Sequence, residues 1–228
     1  MKNGTRQGSI LSSYLFCIYM RKITQDIINC GIGCHIGGMP VSILLYADDI
    51  VVLAPSWFAQ QSLLNLCLQS VTHLGMKFNA SKSVTMIFAP LRVSSRVKYC
   101  LPKFTLGDAA LEIVNKCKHL GFIVTSNADD NADILHQMSL LYMRSNILIR
   151  KFCRCSRNVK LCLFRAHCLS FYGAALWNCY NVTVLQKLEA AYVKCTKMFF
   201  DFARRASVTA MFVELGLPSF NTILHNAS

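Results

Sequence analysis

Charge is scarce in this chain of 228 residues, and acid is scarcest of all. Charged residues make up 15% against 54% hydrophobic, a balance that excludes a disordered chain and implies a sizeable packed core. Asp and Glu total 11 against 24 Lys and Arg, and no acid at all occurs between Ile134 and Leu188. That window holds Arg144, Arg150, Lys151, Arg154, Arg157, Lys160 and Arg165. A polyanionic partner is the physical expectation for such a strip, and a solvated basic face is the plainer alternative. The 12 cysteines include no CxxC pair. Neither Cys30, Cys34 and His35 nor Cys153 and Cys155 has the two paired ligand sets of a zinc site, so free thiols in a reduced compartment are expected. No small-residue cleavage site follows the apolar run Leu11–Met20, which argues against a signal peptide. Mean hydropathy is +0.37, and the uncharged stretch Ala166–Gln186 is long enough to span a bilayer. It contains His167, Ser170, Asn178, Asn181 and Gln186, all costly in lipid, so it reads as a buried helix and the loop after it. An intracellular protein of nucleus or cytoplasm is therefore expected. There is no internal repeat and no low-complexity linker.

What the sequence does contain is a change of hydrophobic period near residue 126. Before it, a helix is expected from about Leu11 to Ile28, ended by Gly31, and a second after the N-cap residue Ser56, ended by Gly75. Gly31 to Pro40 reads as a glycine-rich connection. Val41–Tyr46 and Ile50–Ala54 read as a hairpin with Asp48 and Asp49 at its tip, its arms apolar enough to be covered on both faces. Met76–Asn79 and Val84–Ala89 are expected to be strands flanking a turn, Phe104–Leu106 and Ala109–Val114 strands around Gly107-Asp108, and His119–Thr125 one more strand. After residue 126 the spacing is helical. Asp129, Asp130 and Asp133 complement the dipole at the start of a first helix, and further helices are expected over Val159–Asn178, Val184–Phe202 and from Ser207 to Gly216. The fold class is α+β, with a mixed part over 1–125 and an all-helical part over 126–228.

Two adjacent aspartates at a hairpin tip have two readings. Asp is a common turn former, and a solvated turn is the simpler one. Like charges side by side are also what a cation relieves. The surrounding string decides more: Tyr46-Ala47-Asp48-Asp49 resembles the YxDD signature, motif C, of the reverse transcriptase palm. Gly4-Thr5-Arg6-Gln7-Gly8 with Ser9 to Ser12 resembles motif B of non-LTR retrotransposon enzymes. Gly75 through Asn79 with Lys82 and Ser83 resembles motif D, and His119-Leu120-Gly121 resembles motif E, the primer grip, with His in place of an aromatic. The phrases Tyr46–Ser56 and Asp133–Arg154 most resemble the jockey/CR1-like group. Four motifs in the family's order make the likeness specific; viral RNA-dependent polymerases, which usually carry Gly before the Asp pair, are a poorer match.

The resemblance implies a partial polymerase palm followed by a helical thumb. It implies RNA-directed DNA synthesis, a nucleotidyl transfer from a dNTP to a DNA primer 3′-OH on an RNA template, using two Mg²⁺ ions or Mn²⁺. Asp48 would ligate metal and Asp49 would support the site. Arg6, Gln7 and Gly8 would lie against nucleotide and template, and Tyr46 and Ala47 against the primer end. Lys82 is either an acid near the leaving pyrophosphate or a surface turn lysine. His119, Leu120 and Gly121 would grip the primer. Arg144, Arg150, Lys151, Arg154, Arg157 and Lys160 would hold the nucleic-acid backbone. Ser13 and Ile10 depart from motif B where Pro is usual. The family's motif A, with a further aspartate, lies well upstream of motif B, whereas Met1 stands three residues before Gly4. A chain truncated at its N-terminus and nearly inactive in isolation is therefore expected. Whether it acts as an enzyme stays open at this point; a non-catalytic nucleic-acid-binding remnant and an unselected relic are the alternatives.

Overall fold

The computed structural model describes residues 10–88 and 103–227, and these divide into two compact units. The first comprises residues 10–85 and 103–113, the second residues 86–88 and 114–227.

The first unit is built on two helices, α1 (Ile10–Asn29) and α2 (Trp57–His73). Phe16, Met20, Ile23 and Ile27 recur at four, three and four along α1, so they form one stripe, packed with Leu63, Cys67 and Val71 of α2. Both ends of α2 follow from the sequence. The Ser56 side chain accepts the Ala59 N–H at 3.2 Å. At the other end Gly75 (φ +71°) closes a Schellman pair, with Met76 N–H donating to Val71 O and Gly75 N–H to Thr72 O.

Short strands surround this pair of helices. Strands β1 (His35–Ile36) and β2 (Met39–Pro40) make a small hairpin within the glycine-rich stretch that reads as a plain connection. Strands β3 (Ile43–Tyr46) and β4 (Asp49–Val52) form the expected hairpin. Residues 76–79 are not a strand; the chain leaves the Schellman turn irregularly, and Asn79 O accepts the N–H groups of Lys82 and Ser83. Strand β5 (Val84–Thr85) pairs in parallel with β8 (Glu112–Ile113), beyond the hairpin of β6 (Thr105–Leu106) and β7 (Ala109–Ala110).

The second unit begins earlier than the change of period suggests. Residues 116–125 are two strands rather than one, β9 (Lys116–His119) and β10 (Phe122–Thr125), joined by Leu120 and Gly121 at φ +48° and +86°. This hairpin belongs with the helices because Ile123 N–H donates 3.0 Å to the carboxylate of Asp133. Helices α3 (Asn131–Phe152), α4 (Arg157–Cys168), α5 (Val182–Phe199), α6 (Val208–Leu215) and α7 (Phe220–Ala227) follow. Helix α4 stops at Cys168, well short of Asn178. The loop after it turns at Gly173 (φ +83°) and is anchored to the start of α3. There Trp177 Nε1–H donates 2.9 Å to Asp133, and the Asn178 and Cys179 N–H groups donate to Asp130. Asp133, expected as a helix-dipole charge, is thus fully buried with two donors. The core is aromatic: Tyr192 stacks on Phe212 at 5.4 Å, and Phe164, Phe171, Phe199 and Phe220 pack around it. Tyr192 Oη–H donates to Pro218 O at 3.0 Å. No helix among the described residues is long and apolar enough to cross a membrane.

Candidate nucleic-acid and metal site

The β3–β4 register pairs Ile43 with Val52, Leu45 with Ile50 and Tyr46 with Asp49, which leaves a turn of two residues, Ala47 and Asp48. Asp48 therefore occupies the turn, whereas Asp49 is already the first residue of a strand. Paired residues share a face. Ile43, Leu45, Ile50 and Val52 pack on the α1–α2 cluster, and Leu44, Tyr46, Asp49 and Val51 lie on the other face. That second face is open: Tyr46 is 65% exposed and Leu44 is exposed too, so the arms are covered on one side only, contrary to the two-sided burial their apolar sequence suggests. Asp48 and Asp49 are both exposed and form no ion pair among the described residues. Ala47 carries φ +52°, a left-handed conformation that costs a residue with a Cβ about 1–2 kcal/mol. Strain of this kind at a turn bearing two carboxylates marks a candidate functional site.

The donor chemistry of the pair, hard carboxylate oxygens, suits a magnesium-type cation. Among the described residues, however, no three His, Cys, Asp or Glu side chains gather to hold a metal ion. The buried thiols of Cys67 and Cys168 are pushed up to about 12, by burial first, and so stay protonated rather than ligating at neutral pH.

Lys82 lies exposed on the turn after residue 79, with no ion pair to Asp48 or Asp49. Arg6, Gln7 and Gly8 fall outside the described residues. His119, Leu120 and Gly121 sit at the β9–β10 tip, in the second unit, with Lys116 and Lys118 exposed along β9.

The basic window sorts into two groups. Arg144 donates to His167 O, Arg165 to Gly216 O, and Arg157 pairs with Glu214 at 2.7 Å. Lys160, expected on the nucleic-acid face, is instead drawn inward: its side chain is 8% exposed, its ammonium lies 3.0 Å from Asp201 and it sits over the Phe199 ring. An ammonium on a mostly apolar helix face takes the carboxylate that the fold presents, and no local pattern announces a partner 41 residues away. Arg150, Lys151 and Arg154 remain exposed without an ion pair among the described residues.

The structure adds two cations to these. Helices α3 and α5 start together, where Asn131 accepts the Asn181 N–H at 2.7 Å, and they run alongside each other, so their C-terminal ends share one end of the bundle. The Lys160–Asp201 pair holds the segment after α5 against the start of α4. Exposed Arg204 and Arg205, three and four residues beyond Asp201, therefore lie at the same end of the bundle as Arg150, Lys151 and Arg154. The only signal for them in the sequence is the Arg-Arg doublet itself.

Comparison with known proteins agrees with the hairpin. The description "Reverse transcriptase (RNA-dependent DNA polymerase)" matches residues 1–124, more than half the chain. The chain is also 31% identical over 83 residues to the "Retrovirus-related Pol polyprotein from type-2 retrotransposable element R2DM" of Drosophila melanogaster, an alignment covering 36% of this chain and 8% of that protein. With Tyr46-Ala47-Asp48-Asp49 on a strained hairpin inside the matched region, the chain belongs to the reverse transcriptase (RNA-dependent DNA polymerase) family.

Proposed function

We infer that this chain is part of the polymerase of a non-LTR retrotransposon, which copies an RNA template into DNA by nucleotidyl transfer from a dNTP to a primer 3′-OH. The observation that carries the reading is the Asp48–Asp49 pair on the strained Ala47 turn, within residues that match the family. In it, residues 1–125 act as palm and the helices that follow as thumb. Asp48 and Asp49 are the residues that would hold a divalent ion, which when bound neutralises charge developing on the reacting phosphate oxygens. Tyr46 and Ala47 face the primer end, Arg6, Gln7 and Gly8 the nucleotide and template, and His119, Leu120 and Gly121 the primer strand. Arg150, Lys151, Arg154, Arg204 and Arg205 neutralise backbone phosphates without reading sequence.

Two carboxylates from one hairpin leave the ion short of ligands among the described residues, so weak activity is expected from the isolated chain. Primer extension on an RNA template with Mg²⁺ or Mn²⁺ tests the reading. Any dNTP incorporation should vanish in Asp48→Asn, while primer–template binding by the same variant persists and falls steeply with added salt. Incorporation that survives Asp48→Asn would overturn the assignment of the site.

A further inference from the structure

We propose that Tyr172 is a stacking platform for the terminal base of a nucleic-acid strand brought to the β9–β10 tip. The inference rests on the polymerase reading and adds to it a residue that no motif contains. Tyr172 is 57% exposed, yet its backbone is held on both sides. Before it, Phe171 is buried edge-on against Tyr192 and Phe220. After it, Gly173 lies so close to the Phe122 ring that a Cβ there would fall 2.8 Å from Cδ2. The Tyr172 ring itself rests on Gly121, where a Cβ would fall 2.9 Å from Cε1. A glycine at the tip is what allows an aromatic ring to lie against the backbone of the hairpin turn.

The loop beyond is tied to α3 through Asp130, Asn131 and Asp133. The ring is therefore a fixed exposed surface rather than a loose side chain. Its hydroxyl has no hydrogen-bond partner among the described residues, and more than half of the residue is open to solvent. Lys116 and Lys118, exposed on β9 with no ion pair among the described residues, supply cations on the same hairpin. An exposed aromatic ring at the tip of a hairpin that carries cations fits a strand whose bases stack and whose phosphates are neutralised. Bases inside a duplex already have both faces covered, so the ring suits an end or an unpaired base.

The test uses the full chain and a recessed primer–template duplex carrying 2-aminopurine as the 3′-terminal base of the primer. With the wild-type chain and with Tyr172→Phe, the 2-aminopurine fluorescence should be quenched on binding. With Tyr172→Leu, which still covers Gly121 but has no ring, the quench should be lost and affinity for the recessed end should fall about tenfold. Affinity for a closed circular duplex, which has no terminal base, should change little, and circular dichroism should stay that of the wild type. Tyr172→Ala serves as a second variant if Leu disturbs the fold. A quench and affinity unchanged by both substitutions would overturn the proposal while leaving the polymerase reading intact, as would an equal loss on closed circular duplexes, the signature of a general structural role. A wild-type chain that binds no duplex at all would overturn the polymerase reading and this proposal together.

Discussion

The two units treat apolar sequence differently. In the helical unit Phe164, Leu188, Tyr192 and Phe199 are fully enclosed, and the core phenylalanines and Tyr192 find ring partners within the unit. In the first unit only one stripe of α1 is covered. Leu11, Tyr14, Ile18 and Tyr19 stand exposed on the same helix, as do Leu44 and Tyr46 on the hairpin beside the two aspartates. Stability and chemistry are thus distributed unequally. The helical unit closes its own core, whereas the unit with the carboxylates keeps much of its apolar surface open. Each unit also contains one of the chain's two tryptophans, Trp57 in the first and Trp177 in the second, so the contrast is directly measurable.

The largest effect is expected at Asp133. Asp133→Ala strands two buried donors, Ile123 N–H and Trp177 Nε1–H, and should lower the stability of the helical unit by about 3 kcal/mol. Urea unfolding followed at Trp177 in a Trp57→Phe background should report that loss, and Trp57 in a Trp177→Phe background should not. Equal shifts of both transitions would mean that the units unfold as one and would break the comparison.

A smaller difference should appear on the alkaline side. Burial raises Cys168 to about 12 and also raises Cys195 and Tyr192 in the helical unit, whereas in the first unit the comparable group is Cys67, at about 12. The folded state holds these protons more tightly than the unfolded one. The stability they contribute is therefore complete below pH 9 and declines as pH rises from 9 towards 12. The Trp177 transition should fall more steeply than the Trp57 transition over that window. Parallel slopes would show that burial of the thiols is alike in both units. The smallest effect is predicted on α1: Tyr14→Ser should change stability by no more than about 0.5 kcal/mol, because the ring is already exposed. A clear destabilisation by the same urea titration would show that this face is covered in solution.

These contrasts also explain what could be read from sequence. Elements with local signals are where the residues put them: α2 between Ser56 and Gly75, the Tyr46–Asp49 hairpin, and α6 between Ser207 and Gly216. What escaped depends on partners far along the chain. The β9–β10 turn is hidden because its first position, which needs φ above zero, carries Leu120 rather than Asn, Asp or Gly. Helix α4 has no breaker at Cys168, and the loop after it is set by Trp177, Asn178 and Cys179, which are committed to Asp133 and Asp130 through contacts 44 to 49 residues apart. Asp133 stands in the first turn of α3 as expected, but its burial and that of Lys160 are not foreseen, since a charged residue on a helix looks solvated until its tertiary partner is known. The carboxylate pair was legible as a motif, but its division between a turn position and a strand position was not.

The alignment of α3 with α5 has a thermodynamic consequence. Arg150, Lys151 and Arg154 are separated from Arg204 and Arg205 by about fifty residues of chain, so the five cations gather at one end of the bundle only while the helices are folded. An unfolded chain offers the same charges dispersed. A polyanion that docks on the assembled surface is therefore linked to folding: at a hundred times its dissociation constant it would add about 2.7 kcal/mol to the helical unit. A polyanion bound in that way would act as a folding cofactor for the helical unit, raising its melting temperature with the logarithm of the polyanion concentration.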